Sequence, residues 1–265
     1  MVAGVEIDLG DAAHAMHRCP ECKLQFKNPF IPERDLIACY MQASGDHWED
    51  SPDSRKRRFD DIERVINAHA EGPMILDIGC SNGALLGYMG QSWERFGIEP
   101  GEEAARQAEA RGVKVIAPML ESCMTDERFD VILAIDVLEH LLDPDSFIAS
   151  VRSLLRPGGI FVGLTGDTGA ASWKWHGSRY WYSSLPEHQV FYERGTINHL
   201  AGAHGMKVVH YERTSHARFK KSREVRDAIR GFIWGLGMRI GLHKSQSAPG
   251  WLPAKDHMLF ALKAK

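Results

Sequence analysis

The stretch ILDIGCSNG, residues 75–83, places an acidic side chain, a hydroxyl, an amide and two glycines directly after an apolar run. Asp77 closes a predicted strand, Gly79 lies in a tight turn, and Gly83 stands where a helix begins. Glycine at such a turn lets the backbone approach a ligand closely, because no Cβ is in the way. The spacing D-x-G-x-x-x-G differs from the dinucleotide fingerprint and from the phosphate loop. The turn therefore predicts a ligand site without identifying the ligand.

A second acidic residue follows at the end of the next predicted strand. Glu99, in FGIEP, lies about twenty residues after the glycine turn. In doubly wound sheets this position faces the ribose of a bound nucleoside, and a carboxylate can accept hydrogen bonds from both hydroxyl groups. The two stretches together predict a ligand that contains a nucleoside.

The elements that position these residues alternate between short apolar runs and helical stretches from Met74 to about Thr165. Such alternation predicts an α/β fold, a doubly wound, mostly parallel sheet covered by helices on both faces. Two more strands, MKVVHYERT and DHMLFALKAK, flank an insertion at about 215–253. We expect residues 1–50 to form a small N-terminal knuckle and cap, and residues 51–265 to form the main domain.

Four stretches, ILDIGCSNG, GIEP, FDVILAIDVLEHLLDP and LLRPGGIFVGLT, resemble in order and spacing the motifs of class I S-adenosylmethionine-dependent methyltransferases. The resemblance implies a Rossmann-like sheet of seven strands with an antiparallel last strand, and S-adenosyl-L-methionine as cofactor. It departs from the family pattern after the third strand, where VIAPMLESC lacks the usual acidic residue. The residues that the resemblance places around the cofactor are Asp77, Gly79, Ser81, Asn82 and Gly83 at the methionine part, Glu99 and Pro100 at the ribose, Met119 and Leu120 at the adenine, Asp136 near the sulfonium, and His140 in the pocket wall.

An aromatic block after the fifth strand is expected on the acceptor side, because ligands of open α/β sheets bind beyond the carboxyl ends of the strands. His188 is the candidate general base, since a neutral imidazole accepts a proton near neutral pH, and Glu187 or another carboxylate could orient it. The alternative is that the aromatics form the core of a lid and His188 caps a helix. The block contains Trp173, Trp175, His176, Arg179, Tyr180, Trp181 and Tyr182.

The stretch HRCPECKLQFKNP holds one C-x-x-C pair, Cys19 and Cys22, without a second pair. It resembles the N-terminal segment of bacterial methyltransferases that act on sugars, where it commonly supplies half of a zinc unit. Four ligands are the norm for structural zinc, so zinc bound here would need other residues to complete the set. The alternative is a metal-free turn packed against the catalytic domain. The residues that could complete the set are His14, His17, Cys39 and His47.

These features predict a methyltransferase that acts on a hydroxyl of a sugar or polysaccharide precursor, so that the partner is a small-molecule or glycan acceptor. The first alternative is an O-methyltransferase of a small phenol or quinone precursor. The second is a cofactor-binding subunit without turnover, because binding and chemistry use different residues.

Composition narrows the class of protein. Of 265 residues 44% are hydrophobic, and the net charge of -3 gives no reason to expect a nucleic-acid partner. The odd number of cysteines and the absence of a basic start before an apolar run predict a cytoplasmic protein. The insertion contains an amphipathic basic stretch, 218–244, expected to pack on its own domain or on a second subunit of a homodimer; contact with a membrane surface is the alternative.

Overall fold

The computed structural model describes residues 15–42, 52–215, 221–242 and 255–265. Within these ranges the strands are β1 (Ala15–Arg18), β2 (Gln25–Asn28), β3 (Met74–Ile78), β4 (Glu94–Ile98), β5 (Lys114–Ala117), β6 (Phe129–Ile135), β7 (Leu155–Gly166), β8 (Val190–Phe191), β9 (Met206–Thr214) and β10 (His257–Ala264). The helices are α1 (Glu33–Gln42), α2 (Pro52–His69), α3 (Ala84–Tyr88), α4 (Glu102–Ala110), α5 (Pro144–Leu154), α6 (Ala171–His176), α7 (Arg194–Ala203) and α8 (Lys221–Arg239).

Seven strands form the central sheet in the order β5-β4-β3-β6-β7-β10-β9. The pairs from β5 to β7 are parallel, whereas β10 runs antiparallel to both of its neighbours. Successive side chains point to opposite faces, so that Ile75 and Leu76 enter separate apolar clusters on the two faces. The predicted doubly wound, mostly parallel sheet of seven strands is confirmed.

Helix boundaries follow from local side-chain chemistry. Asp143 caps α5, because its carboxylate accepts a hydrogen bond from the Ser146 backbone N–H at 3.1 Å and Pro144 occupies the first helical position. In α2, Phe59 and Ile62 recur at helical spacing and are buried against the sheet. Burial of such stripes fixes the helices on the sheet and leaves the carboxyl ends of the strands to the loops.

The CPEC sequence forms the turn of a hairpin between β1 and β2. Cys19 donates its backbone N–H to the Leu24 carbonyl at 2.8 Å, and Lys23 takes a positive φ of 67°. Strand β2 pairs in turn with β8, which makes a separate three-stranded sheet of order β1-β2-β8. The hairpin is thereby attached to the segment that follows the aromatic block.

Zinc at Cys19 and Cys22 stays a prediction. Of the residues named to complete the ligand set, His14, His47 and the side chain of Cys39 lie outside the described part of the chain. The division into residues 1–50 and 51–265 likewise stays a prediction.

Helix α8 lies within the predicted insertion, between β9 and β10. The helix was expected to pack on its own domain or on a second subunit. Its apolar stripe does not pack on the domain, because the stripe residues are exposed in this chain, including Val225 and Ile233. The glycine side of the helix faces the domain instead, where Gly231 and Gly235 are buried. Across the described ranges, no helix has both the length and the apolar character needed to cross a membrane.

Candidate functional site

The glycine turn after β3 is held in left-handed backbone conformations. Gly79, Ser81 and Gly83 have φ values of 76°, 48° and 74°. The backbone N–H groups of Gly79 and Cys80 donate to the Ile98 carbonyl at 2.8 and 3.1 Å, which ties the turn to the end of β4. Two strand ends and their loops therefore form one rigid edge.

Gly83 is required by the packing of two helices. A Cβ built on Gly83 would lie 2.9 Å from the Cα of Ala108. The glycine makes room for α4, because α3 and α4 approach each other closely at this point, and its place at the methionine part of the cofactor stays a prediction. Asn82 is also occupied, since its side-chain oxygen accepts the Ala84 backbone N–H at 3.1 Å.

Glu99 is fixed by the backbone at the end of β4. One carboxylate oxygen accepts the Ser81 N–H and the other the Gly101 N–H, both at 2.8 Å. Burial raises the pKa of Glu99, and the two hydrogen bonds act in the opposite direction. The carboxylate is thereby positioned at the turn, and each oxygen keeps further acceptor capacity.

Asp77 lies deeper at the same edge. Burial, together with the neighbouring Glu99, raises the pKa of Asp77 to about 7. Its Oδ1 is buried, and none of the described residues donates a hydrogen bond to it. A buried acceptor without a donor is costly, so this atom fits a ligand that brings its own donor, such as an amino group.

The predicted adenine pair follows β5 at the adjacent strand end. Glu99 donates its backbone N–H to the Ala117 carbonyl at 3.2 Å, which joins the ends of β4 and β5. Met119 is partly exposed and stands just before a short 3₁₀ turn, in which Leu120 is buried. Pro100, which follows Glu99 after β4, is also partly buried. The structure thus brings the predicted ribose and adenine residues to neighbouring strand ends.

Asp136 directly follows β6, where it takes a positive φ of 55°. It pairs with Arg58 of α2, whose guanidinium lies 2.8 Å from the carboxylate. Arg58 belongs to the basic run RKRR at residues 55–58. Its spacing on α2 gave no signal for this contact, because the partner is 78 residues away in the chain.

His188 meets a buried carboxylate, and that carboxylate belongs to Glu139 rather than to Glu187. Its Nε2 lies 4.0 Å from Glu139 Oε1. Glu139 accepts hydrogen bonds from Tyr182 at 2.5 Å and from Thr165 at 2.8 Å. The sequence gives one sign of this carboxylate, because Glu139 stands directly before the predicted pocket residue His140 in DVLEHLLDP.

The hydrogen bonds of His188 define which ring nitrogen is free. Nδ1 lies 3.0 Å from the Tyr182 carbonyl, which can only accept, so Nδ1 carries the proton and Nε2 keeps its lone pair. Burial holds the pKa of His188 well below 6.5. Burial and Asp136 raise the pKa of Glu139 to about 7. Near neutral pH the imidazole is therefore neutral, and the two groups are not an ion pair.

His140 lies beside His188, with the ring centroids 5.0 Å apart. Its Nδ1 is 2.8 Å from the Tyr40 hydroxyl and 3.2 Å from the Glu187 carbonyl oxygen. Burial lowers the pKa of His140. Tyr40 belongs to α1, so the N-terminal segment reaches the same cluster.

Glu187 faces the N-terminal hairpin. Burial lowers the pKa of Lys27 to about 8, and the Glu187 charge opposes this effect. The Lys27 ammonium donates to the Leu185 carbonyl at 2.6 Å. Sequence reasoning missed Lys27 because a lone lysine in a strand gives no sign of burial.

Much of the aromatic block forms the core of a lid instead of an open platform. Trp173, Tyr180 and Tyr182 are buried in one cluster with Phe191. Trp175 stacks on Phe232 of α8, with ring centroids 5.0 Å apart. The buried members have their surfaces covered by one another, which fits the alternative that the aromatics form the core of a lid.

Glu139, His140 and His188 each offer a ligand atom within 4.8 Å of the other two, so among the described residues this set could hold a metal ion. Two imidazoles and a carboxylate suit a transition metal or zinc better than calcium. Cys19 and Cys22 belong to no such set within the described ranges.

Residues 52–211 match the family model described as a methyltransferase domain. The chain is 32% identical over 161 residues to a ubiquinone biosynthesis O-methyltransferase of Methylobacterium sp. (strain 4-46), with 52% of this chain and 64% of that protein covered. A protein of the same description from Paramagnetospirillum magneticum is 35% identical over 114 residues, which cover 39% of this chain and 44% of the relative. The chain thus spans less than two thirds of the length of these curated relatives.

Solved structures give the same fold at low identity. The N-methyltransferase NodS from Bradyrhizobium japonicum WM9, in complex with S-adenosyl-L-homocysteine, is 15% identical with a TM-score of 0.56, and 87% of this chain and 97% of that chain are covered. Magnesium protoporphyrin IX methyltransferase from Synechocystis PCC 6803, with bound S-adenosylmethionine, is 11% identical with a TM-score of 0.55, covering 90% of this chain and all of the other. At these identities the likeness concerns the fold alone.

Proposed function

The chain belongs to the methyltransferase domain family, and from this premise we propose that it is an S-adenosylmethionine-dependent O-methyltransferase whose acceptor is the hydroxyl of a small phenol or quinone precursor. The family model covers more than half of the chain. The two curated relatives described above are named ubiquinone biosynthesis O-methyltransferases. This acceptor was the alternative in the sequence prediction, and it replaces the sugar hydroxyl as the preferred one.

One observation carries the proposal: the free Nε2 of His188 lies at the same sheet edge as the Asp77 and Glu99 pocket. Asp136, at the end of β6, stands between the two parts. An open α/β sheet binds ligands at this edge, so a donor and an acceptor would meet here.

The pocket residues fit S-adenosylmethionine. The unpartnered Oδ1 of Asp77 would receive the amino group of the methionine part, and Glu99 the ribose hydroxyls. When bound, this cofactor supplies an electrophilic methyl group on a sulfonium. Asp77 and Glu99 would then hold the cofactor by hydrogen bonds. The negative charge of the carboxylates would also attract the positive charge of the cofactor.

His188 would remove the proton from the acceptor. The hydroxyl proton passes to Nε2, and the hydroxyl oxygen keeps the electron pair that forms the new bond to carbon. Tyr182 and Glu139 keep the ring oriented, because the Tyr182 carbonyl accepts from Nδ1 and the Tyr182 hydroxyl binds Glu139. A base with a lowered pKa suits a phenol, whose pKa is about 10, better than the far less acidic hydroxyl of a sugar.

The test is incubation with isotopically labelled S-adenosylmethionine and a paired set of acceptors, catechol-type phenols against nucleotide-linked sugars, followed by mass spectrometry. We expect label on the phenols. His188→Ala should lower turnover by about 10²- to 10⁴-fold while cofactor affinity stays within about twofold. His199→Ala, on α7, is the matched control and should keep full activity.

Two results would contradict the proposed function. Label on sugars alone would restore the glycan acceptor. Cofactor binding without label on any acceptor would favour a subunit without turnover. The homodimer stays a prediction.

A further inference from the structure

Helix α8 presents a continuous apolar surface, which we call the α8 stripe. Each of its side chains is between 49% and 71% exposed, although all are large and apolar. Single exposed apolar residues are ordinary on protein surfaces, whereas a row of them along one helix marks an interaction surface. The stripe consists of Val225, Ile229, Phe232, Ile233 and Leu236 of the helix and of Ile240, which directly follows it.

The opposite side of α8 is fixed to the domain, so the stripe cannot turn inward. A Cβ at Gly235 would lie 2.0 Å from Trp175 Nε1, which shows how closely the helix rests on α6. His176 Nε2 lies 3.2 Å from the Gly231 carbonyl oxygen, and Asp227 is buried on the same side. These contacts set the rotation of the helix about its axis.

Arginines border the stripe on both sides. At about 100° per residue, the stripe spans roughly 100° of the helix circumference, with Arg226 and Arg230 along one edge and Arg239 at the other. All three are exposed, and the Arg239 guanidinium lies over the Trp175 ring at 3.4 Å from its centroid. Long basic side chains beside an apolar face can reach charged headgroups while the apolar groups enter the lipid.

The charge of α8 favours a lipid bilayer over a second copy of the chain as the partner of the α8 stripe. Lys221–Arg239 contains five basic and two acidic residues, of which Asp227 is buried, whereas the whole chain has a net charge of -3. In a symmetric pair, the stripe of one copy would meet the stripe of the other, and arginines would face arginines. An anionic surface removes this repulsion.

We propose that α8 is a peripheral membrane-docking helix, which binds anionic phospholipid bilayers by inserting the α8 stripe among the lipids while its arginines contact the headgroups. The helix lies in the plane of the surface and does not cross it, in keeping with its composition. Docking needs no methyl transfer. It rests on the proposed function only in one consequence: since α8 sits on α6, part of the aromatic block, the bilayer would lie near the acceptor side.

The test is flotation of the full chain with vesicles of phosphatidylcholine alone or with about 30% phosphatidylglycerol, at about 50 mM and about 500 mM salt. We expect binding to the anionic vesicles at low salt and at least about tenfold weaker binding at high salt or without the anionic lipid. The double variant I229E/I233E should lose binding by at least about tenfold. Met124→Glu, which changes a 96% exposed apolar residue outside α8, should bind like the unchanged protein.

A thermal shift with S-adenosylmethionine shows whether each variant is folded, and this readout is independent of vesicle binding. Failure to bind anionic vesicles at low salt would overturn the proposal, as would equal binding by I229E/I233E. Sedimentation that shows a dimer abolished by the same variant, without vesicle binding, would assign the stripe to a second copy instead. If the unchanged protein binds anionic vesicles but transfers no methyl group to any acceptor, the proposed function is contradicted and the docking surface is still supported.

Discussion

Two carboxyl groups with the same raised pKa occupy different parts of the site. Burial raises the pKa of both Asp77 and Glu139 to about 7, with Glu99 adding to the first and Asp136 to the second. Asp77 has an oxygen without a described donor, whereas Glu139 is bonded to Tyr182 and Thr165. The first is thus suited to receive a ligand, and the second is suited to hold neighbouring side chains in place.

These raised pKa values make folding stability depend on pH. Between the unfolded pKa of Glu139 and its folded pKa of about 7, the folded state holds a proton that the unfolded state has lost. The contribution of Glu139 is therefore most favourable in acid and is lost as pH rises to about 7. The same sign applies to Asp77.

Glu139→Gln should flatten this dependence, because the amide does not ionise. Over about pH 4.5 to 8, we expect the free energy of unfolding to fall by about 2 to 3 kcal/mol less in the variant than in the unchanged protein. Urea unfolding at several pH values measures this. Glu109→Gln, at an exposed position on α4, should leave the slope of the unfolding free energy against pH as it is. A slope in Glu139→Gln equal to that of the unchanged protein would show that the carboxyl group is already ionised in acid.

At the scale of elements, the glycines of the turn have separate tasks. Gly79 and Gly83 both take positive φ values. A Cβ on Gly79 would meet Val137 at 2.7 Å, and one on Gly83 would meet the backbone of α4. Close packing of α3 on α4 thus depends on Gly83 as much as the turn does.

Gly83→Ala should lower the free energy of unfolding by about 1 to 3 kcal/mol, because it adds backbone strain and a clash with Ala108. Gly202→Ala is the matched control, since this helical glycine has nothing within 4 Å of the added Cβ. We expect it to stabilise the protein by about 0.5 to 1 kcal/mol. Chemical denaturation of both variants measures the contrast, and destabilisation of the same size in both would contradict it.

Local sequence patterns predicted the strands and helices. They could not predict the contacts between elements that lie far apart in the chain. The alternation of apolar runs with helical stretches was sufficient for the sheet. The structure brings the glycine turn and Glu99 together, as their places at neighbouring strand ends predicted, and their role toward the cofactor stays a prediction. The Glu139 cluster joins β7, the lid and a short 3₁₀ turn, which meet only after folding. For α8, the helical spacing of the stripe was visible in the sequence, but the stripe is not the side that packs on the domain. The packed side is the one with the glycines, because they let the helix lie close to Trp175.

At the scale of the whole molecule, cofactor binding should raise thermal stability, because a ligand that binds only the folded state adds its binding free energy to folding. At about 100 times the dissociation constant we expect a rise in Tm of about 5 to 10 °C. Differential scanning fluorimetry measures it. Glu99→Gln should lose most of the shift, while Glu103→Gln should keep it. No shift with S-adenosylmethionine in the unchanged protein would count against the pocket.

The pairing of β2 with β8 affects how the protein is made. Ile31 donates its backbone N–H to Gln189, 158 residues further along the chain. At ribosomal speeds of about 5 to 20 residues per second, the first hairpin emerges roughly 8 to 30 seconds before its partner strand exists. During that interval the edge of β2 has no strand to pair with. The hairpin of β1 and β2 is therefore synthesised well before its three-stranded sheet can be completed, which happens only after the strands of the glycine turn have left the ribosome.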